Sequence, residues 1–332
     1  MKTVELLPLH CSCVFAPYIC DFVEQKRALG HKYNSYVEIL NQFDKFCILQ
    51  SVEEPVLSAD LFSKWCEKRL QENDTTHHMR IQCLRSFAEF LRNNGVEAPA
   101  NFHPLPRPRK TFMPYIFTND EIRRFLVAVD RQCRTVNANS PIRHLVLPVL
   151  FRMLYTCGLR VSEALKLKVE DVDLQQGTLL VLDAKGGKDR LVAMSETMTA
   201  LCREYRSNES VHNFESDYFF PAPDRGFYDT STIYDRFREY LFAANIGHGG
   251  RGKGPRVHDL RHTFAVHVLN SWAAQGKDLY TCLPILSTYL GHKNLNATQQ
   301  YLRLVPEFYS EVTNSFETSF GTVFPEVANE EL

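Results

Sequence analysis

Residues 258–267 read HDLRHTFAVH, and this stretch decides how the rest of the chain is interpreted. In a helix predicted over residues 258–272, His258 and His262 lie one turn apart on the same face, beside Arg261. Three further segments collect polar residues: TCGLRVSE at 156–163, AKGGK at 184–188, and LGH at 290–292 with a tyrosine at 301. Any one segment alone has a structural explanation, such as a helical ion pair or a solvated hairpin. Their interpretation therefore depends on all four occurring together.

The segments lie in a region predicted to be mainly helical with a small antiparallel β-sheet. A capping box at Thr118–Glu121 precedes one helix, a second helix ends at Gly158, and a short helix follows over 161–167. Residues 178–183 and 189–195 predict two strands that form a hairpin with a basic tip. Additional helices are predicted over 230–244, 258–272, 283–290 and about 295–304.

The first hundred residues are predicted to form a separate helical domain. Apolar side chains recur at helical spacing in two runs, Tyr36–Phe46 and Ile81–Leu91, and Gly95 stands where the second helix should end. Prolines at 104, 106 and 108 alternate with other residues, which favours an extended linker. The expected organisation is a helical N-terminal domain over 1–103, a basic linker over 104–113, a second domain over 114–310 and an acidic tail over 311–332.

Composition is that of a globular protein. The chain has 332 residues, 44% hydrophobic and 23% charged, which suffices for two domains with their own cores. Its longest apolar run, Leu145–Phe151, is far shorter than the roughly 18 residues of a membrane span. Ten scattered cysteines without a CxxC pair favour free thiols in a reducing compartment, and hence a cytoplasmic protein. An N-terminal zinc knuckle is disfavoured because its candidate ligands lack paired spacing. They are His10, Cys11, Cys13 and Cys20.

The net charge of −1 conceals a basic body and an acidic tail. Six glutamates and no Lys or Arg follow Arg303, which leaves a net charge of +5 on residues 1–303. This distribution permits a basic nucleic-acid-binding surface even though the net charge of the whole chain is close to zero. Two clusters of cations without acids stand out: Arg107, Arg109 and Lys110, and Arg251, Lys253 and Arg256.

Together the four segments resemble the tyrosine recombinase, or phage integrase, family. The active site of that family runs Arg, Lys, His-x-x-Arg, His or Trp, Tyr along the chain, and this sequence has every element in that order. The matching stretches are GLRVSEALKL, KGGKDRLV, HDLRHTFAVH and LGHKNLNATQQYLRL. The matching residues are Arg160, Lys185, His258, Arg261, His292 and Tyr301. The resemblance extends from about residue 115 to residue 304, and more loosely into the helical N-terminal domain, which it identifies as a core-binding domain.

The resemblance implies that DNA is cleaved and rejoined through a covalent 3′-phosphotyrosine, with neither ATP nor a metal ion. Tyr301 would be the nucleophile, and because a phenol has a pKa near ~10 it needs a base, for which His258 is the candidate. Arg160 and Arg261 would clamp the phosphate, since forked guanidiniums suit its anionic oxygens.

The remaining family positions acquire supporting roles by the same resemblance. Lys185 would protonate the departing 5′ oxygen, and His292 would donate to the phosphoryl oxygens. Alignment of KGGK with the family pattern favours Lys185 over Lys188 for this role. Glu163, three residues after Arg160, would orient the clamp.

The resemblance also implies the partners. Two domains would close around double-stranded DNA, and four copies would assemble on paired sites while the free protein is a monomer or weak oligomer. Accessory DNA-bending proteins are a further expectation, as is docking of the C-terminal tail on a neighbouring subunit, with folding back on its own domain as the alternative. Arg80 and Arg85 could face a DNA groove or simply be solvated. Candidate phosphate contacts are Arg107, Arg109, Lys110, Lys188, Arg251, Lys253 and Arg256.

The biological setting and two rival functions complete the sequence-based expectations. The interval from His258 to His292 is longer than in family members that resolve chromosome dimers, and residues 247–254 add a glycine-rich loop, so a mobile-element integrase or transposase is favoured. A zinc hydrolase using His258 and His262 is one alternative, because HDLRH differs from HExxH by one methylene in its acid. A catalytically inactive DNA-binding accessory protein is the other.

Overall fold

The computed structural model describes residues 6–31, 33–100, 113–134, 140–182, 189–250 and 254–305. The chain divides into two compact units between residues 112 and 113. Several sequence-predicted features fall outside the described ranges. They are the linker cations Arg107, Arg109 and Lys110, the hairpin lysines Lys185 and Lys188, the loop cations Arg251 and Lys253, and the tail after residue 305.

The first unit is a helical bundle with an aromatic core. Its helices are α1 (Ala16–Ala28), α2 (Asn34–Leu49), α3 (Ala59–Cys66) and α4 (Asp74–Asn93). The two apolar runs predicted as helices lie in α2 and α4, and Gly95 takes the left-handed φ of 76° expected after a helix end. Phe43 and Phe87 are fully buried and pack with ring centroids 6.2 Å apart, so the aromatic stripes of α2 and α4 hold the bundle together.

Arg80 of α4 is part of this core, so both alternatives expected for it, facing a DNA groove or being solvated, were wrong. The residue is 2% exposed, and its guanidinium forms two hydrogen bonds with the Glu72 carboxylate, at 2.8 and 2.9 Å. It also donates to the backbone carbonyls of Trp65 and Glu67. The guanidinium thus satisfies backbone carbonyls at the end of α3 and in the loop that follows it, and nothing in the local sequence marks this.

The second unit contains the remaining helices and the sheet. The helices are α5 (Asn119–Gln132), α6 (Arg143–Thr156), α7 (Val161–Leu165), α8 (Glu196–Ser207), α9 (Glu209–His212), α10 (Thr230–Ala243), α11 (Asp259–Ala274), α12 (Leu279–Leu290) and α13 (Asn296–Gln299). Short 3-10 turns cover Val169–Asp171 and Gln300–Leu304. The Thr118–Glu121 capping box is present as predicted. The helix predicted over about 295–304 is α13 followed by a tighter 3-10 turn.

The sheet is antiparallel in the order β1–β2–β3, with strands Val172–Asp173, Thr178–Val181 and Arg190–Ala193. The predicted hairpin is confirmed as β2 and β3, in which Leu179 lies opposite Val192. Both of these side chains are buried, so one face of the hairpin packs on the core. The two-residue β1 was not predicted, because so short a strand leaves no alternating pattern.

Among the described residues, no helix combines the length and the apolarity that a membrane crossing requires.

The buried ion pair in the first unit yields a stability prediction. Glu72→Gln should lower the free energy of unfolding by about 3 kcal/mol, because removing one partner leaves the Arg80 charge buried and uncompensated. The control is Asp60→Asn, which breaks an exposed pair with Lys64 and should leave the free energy of unfolding nearly unchanged because solvent screens the pair. Urea unfolding of both variants measures the difference, and equal losses would contradict a structural role for the Arg80–Glu72 pair.

Candidate active site

The guanidinium of Arg261 connects three segments of the second unit. It projects from α11, is 1% exposed, and donates to the carbonyl of Gly158 at 2.7 Å and to that of Leu290 at 2.6 Å. These carbonyls follow α6 and end α12, where helix dipoles favour a cation. Because the Arg261 charge is buried, these hydrogen bonds are needed to offset its desolvation. The side chain thereby brings the segment after Gly158 and the segment after Leu290 together.

Two glycines permit this convergence. Gly158 has a φ of 58°, and a Cβ built on it would stand 2.5 Å from the ring of Phe264. Gly291 has a φ of 67° and ends α12 in the left-handed conformation. Both positions therefore require glycine for backbone conformation and for close packing.

Arg160 stands immediately before α7, next to Gly158. Its Nη1 lies 2.5 Å from Oε1 of Glu163, and its Nη2 lies 3.4 Å from the carbonyl oxygen of Gly291. The Arg160 side chain is 19% exposed, whereas that of Glu163 is 6% exposed. Arg160 therefore has a solvent-accessible side while its other side is held by the Glu163 carboxylate.

Arg190 is a residue of this site that the sequence analysis did not identify. The first residue of β3, it donates to both oxygens of Glu163, at 3.1 and 2.8 Å, and to the carbonyl of Tyr289 at 3.0 Å. Burial alone would raise the pKa of Glu163, but hydrogen bonds and charges from Arg190 and Arg160 lower it to about 2. The one available signal was an arginine at a buried strand end, and its partner Glu163 is 27 residues away.

Tyr301 lies in the 3-10 turn and is 1% exposed. Its hydroxyl is 2.7 Å from Nδ1 of His262, so its hydrogen-bond partner is not His258, the base expected from the sequence. Burial raises the pKa of Tyr301 to about 12, although the charges of Arg261 and Arg160 act in the opposite direction. Tyr301 is therefore a protonated phenol at neutral pH, and both arginines are close enough to act on it electrostatically.

Two histidines, His262 and His292, lie beside the phenol, and a third, His258, packs against His262. The rings of His258 and His262 meet edge to face with centroids 4.7 Å apart, and the ring of His292 lies 6.2 Å from that of Tyr301. Burial is the largest cause of a lowered pKa at each of them, to about 3 for His258 and about 4 for His262 and His292. Neighbouring arginine charges lower these pKa values further. At neutral pH each ring is uncharged and has one donor and one acceptor nitrogen.

The histidine pair of HDLRH bears on the zinc alternative. Nδ1 of His262 is engaged with Tyr301, and no group of three or more His, Cys, Asp or Glu in the described parts of the chain could hold a metal ion. The N-terminal knuckle candidates form no such group either. Arg256, one of the predicted DNA contacts, is exposed two residues before His258.

Comparison with known proteins gives a consistent result. Residues 116–307 match the model of the phage integrase family. A putative integrase/recombinase of Sinorhizobium fredii is 30% identical over 312 residues, which cover 91% of this chain and 97% of that protein. The tyrosine recombinase XerC of Staphylococcus saprophyticus is 27% identical over 296 residues, 87% of this chain and 92% of its own.

Solved structures show the same fold. The recombinase XerH, bound to a palindromic difH substrate in a post-cleavage complex, superposes with a TM-score of 0.62 at 19% identity and covers 92% of this chain and 86% of its own. A lambda integrase fragment, a dimer bound to a COC′ core site, gives a TM-score of 0.58 at 15% identity, with coverage of 86% and 94%. The mainly helical fold with its small antiparallel sheet is thus shared with both.

The neutral histidines predict how stability depends on pH. A histidine whose folded pKa is near 4 and whose unfolded pKa is near 6.5 leaves the unfolded state with more bound protons in between, so stability falls as pH falls through that range. Each such histidine should contribute about 1 kcal/mol per pH unit, partly opposed by Asp259, whose pKa burial raises to about 6. Thermal unfolding from pH 7 to pH 4.5 should show a shallower acid dependence for His262→Gln than for the unchanged chain. If the stability of His262→Gln and that of the unchanged chain fell equally with pH, His262 would not be a neutral buried histidine.

Proposed function

This chain belongs to the phage integrase family, and we propose that it recombines DNA at specific sites through a phosphotyrosine formed by Tyr301. It is a tyrosine recombinase by family, and the assignment of individual residues is our proposal. The observation that carries it is the Tyr301 hydroxyl, held 2.7 Å from a neutral imidazole and within the field of two guanidiniums. A nucleophile, a base and fixed positive charge are the three components that attack on an anionic phosphodiester requires.

The arginines supply the charge. When the phosphate is attacked, negative charge accumulates on its non-bridging oxygens, and preorganised cations stabilise that charge most where water is excluded. Arg261 is fixed by two carbonyls, and Arg160 presents its exposed side beside it. We assign both to the phosphate clamp, with Arg160 as the member that DNA can reach first.

His262 is the base best supported by contact. When its ring carries the proton on Nε2, Nδ1 accepts the hydrogen bond that the Tyr301 hydroxyl donates. As the phenol oxygen bonds to phosphorus, its proton passes to Nδ1 and the bond to the 5′ oxygen breaks. The departing oxygen takes a proton from Lys185, a role that the family resemblance supplies for a residue outside the described ranges. The resulting free 5′ hydroxyl can then reverse the step on a new strand.

His258 and His292 complete the proposed pocket as neutral donors to the phosphoryl oxygens. His258 packs against the ring of His262, and its pKa is lowered by burial and then by nearby cations that include Arg261 and Arg160. Nδ1 of His292 is 2.7 Å from the hydroxyl of Thr298, which leaves its Nε2 for a ligand. Because both rings are neutral, either can donate without adding a charge that would have to be desolvated.

The wider setting follows from the same assignment. DNA is the partner, and DNA complexes of XerH and of lambda integrase support this choice. Assembly of four copies on paired sites is proposed by analogy with a lambda integrase tetramer bound to a Holliday junction. A mobile-element role is supported by relatives named integrase/recombinase. Ten free cysteines support action in a reducing compartment, which we assign as the cytoplasm. Accessory DNA-bending proteins stay a prediction.

The nucleophile is tested with a pool of nicked duplexes of random sequence. The nick lets a short 5′-hydroxyl fragment diffuse away, so cleavage leaves the protein covalently attached to DNA. The unchanged chain should form adducts that survive denaturation, and sequencing of the trapped DNA should reveal a preferred site. Tyr301→Phe should form none while still binding that site. Adducts of equal yield with Tyr301→Phe, or none with the unchanged chain, would reject the proposal.

The choice of base is tested on the selected duplex. His262→Gln should slow adduct formation by about 10²-fold or more, the usual scale for general-base catalysis. His258→Gln should slow it less, because His258 donates only to the phosphoryl oxygens in this proposal. Single-turnover rates at saturating protein make the comparison independent of DNA affinity. If His258→Gln slowed adduct formation more than His262→Gln, His258 would be the base.

A further inference from the structure

Beside the proposed phosphate clamp, the guanidinium of Arg190 joins three elements. We propose that Arg190 is a positioning residue that keeps Arg160 available to the phosphate, an inference that rests on the function proposed above. Arg190 approaches Glu163 from β3, while Arg160 approaches the same carboxylate from the start of α7. The Arg190 side chain is 7% exposed and that of Glu163 is 6% exposed, so the pair lies behind the site and not on its surface.

Charge balance explains why the second arginine is needed. Glu163 carries one negative charge, and paired with Arg160 alone it would neutralise that residue and draw it inward. With Arg190 also present, the three groups carry a net charge of +1. Oε1 of Glu163 accepts from both guanidiniums, while Oε2 accepts from the Arg190 guanidinium and from the backbone N–H of Arg160. Arg160 therefore keeps a net attraction for an anionic phosphate, while the carboxylate still fixes its orientation.

Arg190 also fixes the position of the site mechanically. Its Nε donates to the carbonyl of Tyr289 in the last turn of α12. The next two carbonyls along that turn, those of Leu290 and Gly291, contact Arg261 and Arg160. One side chain on β3 thus holds the turn to whose carbonyls both clamp arginines donate hydrogen bonds.

A glycine provides an independent way to disturb Arg190. A Cβ built on Gly291 would stand 2.8 Å from Cδ of Arg190 and 3.0 Å from its Nε and Nη1. Because Arg190 is held at Glu163 and Tyr289, it can give way only by leaving those contacts. Gly276 is the matched control: its φ of 70° equals that of Gly291 within a few degrees, yet nothing lies within 4 Å of its Cβ position. Alanine at either site meets the same backbone strain, but only Gly291→Ala displaces Arg190.

The variants are compared by single-turnover adduct formation on the duplex selected by the unchanged chain. Arg190→Gln should slow the covalent step by about 10- to 100-fold with a DNA Kd within about threefold, because orientation and charge act mainly in the transition state. Arg190→Lys keeps the positive charge but lacks the forked guanidinium. Its rate of adduct formation should therefore lie between those of the unchanged chain and Arg190→Gln. Gly291→Ala should resemble Arg190→Gln, and Gly276→Ala should resemble the unchanged chain.

Two readouts separate positioning from folding. When Arg160 is already replaced by Lys, Arg190→Gln should slow the covalent step little further, because the effects of two coupled residues are not additive. Arg190→Gln should also make the covalent step lose rate at a higher pH than in the unchanged chain, because the hydrogen bonds and charge of Arg190 help to lower the pKa of Glu163, and that pKa rises when they are removed.

The outcomes are distinguishable. Absence of adduct with the unchanged chain rejects the proposed function itself. Normal cleavage by the unchanged chain together with a normal rate for Arg190→Gln rejects only the role of Arg190. Two further results overturn the positioning role, because they point to general destabilisation. One is a loss of rate in Arg190→Gln that adds in full to the loss in Arg160→Lys. The other is an equal loss of rate in Gly291→Ala and Gly276→Ala.

Discussion

The buried guanidinium of Arg261, which has no carboxylate partner among the described residues, imposes the main constraint on the second unit. Arg261 is almost fully enclosed, and the carbonyls that satisfy it come from the ends of two different helices. Neither α6 nor α12 can shift without leaving a desolvated charge unpaired, which is among the more costly changes a core can undergo. The positions of Arg160 and His292, each two residues beyond one of those carbonyls, follow from this requirement. The site is thus assembled by the same hydrogen bonds that stabilise the fold.

The electrostatics of the pocket divide the work between two kinds of group. Positive charge is concentrated in arginines, which stay protonated even when burial lowers the pKa of Arg261 to about 10. Burial and the neighbouring arginines keep the histidines neutral, so each ring has one nitrogen that can accept a proton or hydrogen bond and one that can donate. Tyr301 is held protonated and covered.

The sequence predicted the framework of this site better than its contacts. The Thr118–Glu121 capping box, the β2–β3 hairpin and α11 were predictable because each leaves a local pattern of three to fifteen residues. Contacts between distant segments leave no such pattern. The bond between His262 and Tyr301 joins residues 39 apart, so chemistry and chain order indicated His258 instead.

Burial of cations was the second difficulty. Arg80 and Arg190 look like surface charges in the sequence, since nothing local marks an arginine as paired. In the structure each is enclosed with a glutamate, Arg80 with Glu72 and Arg190 with Glu163. The free energy of such pairs depends on tertiary geometry, which propensity and periodicity do not encode.

Direct identification of the bonded atom tests the central claim. The trapped protein–DNA adduct is digested with nuclease and protease, and the modified peptide is sequenced by mass spectrometry. A nucleotide attached through its 3′ phosphate to the Tyr301 oxygen is the predicted result. A nucleotide on any other side chain, or a 5′ linkage, would contradict the account.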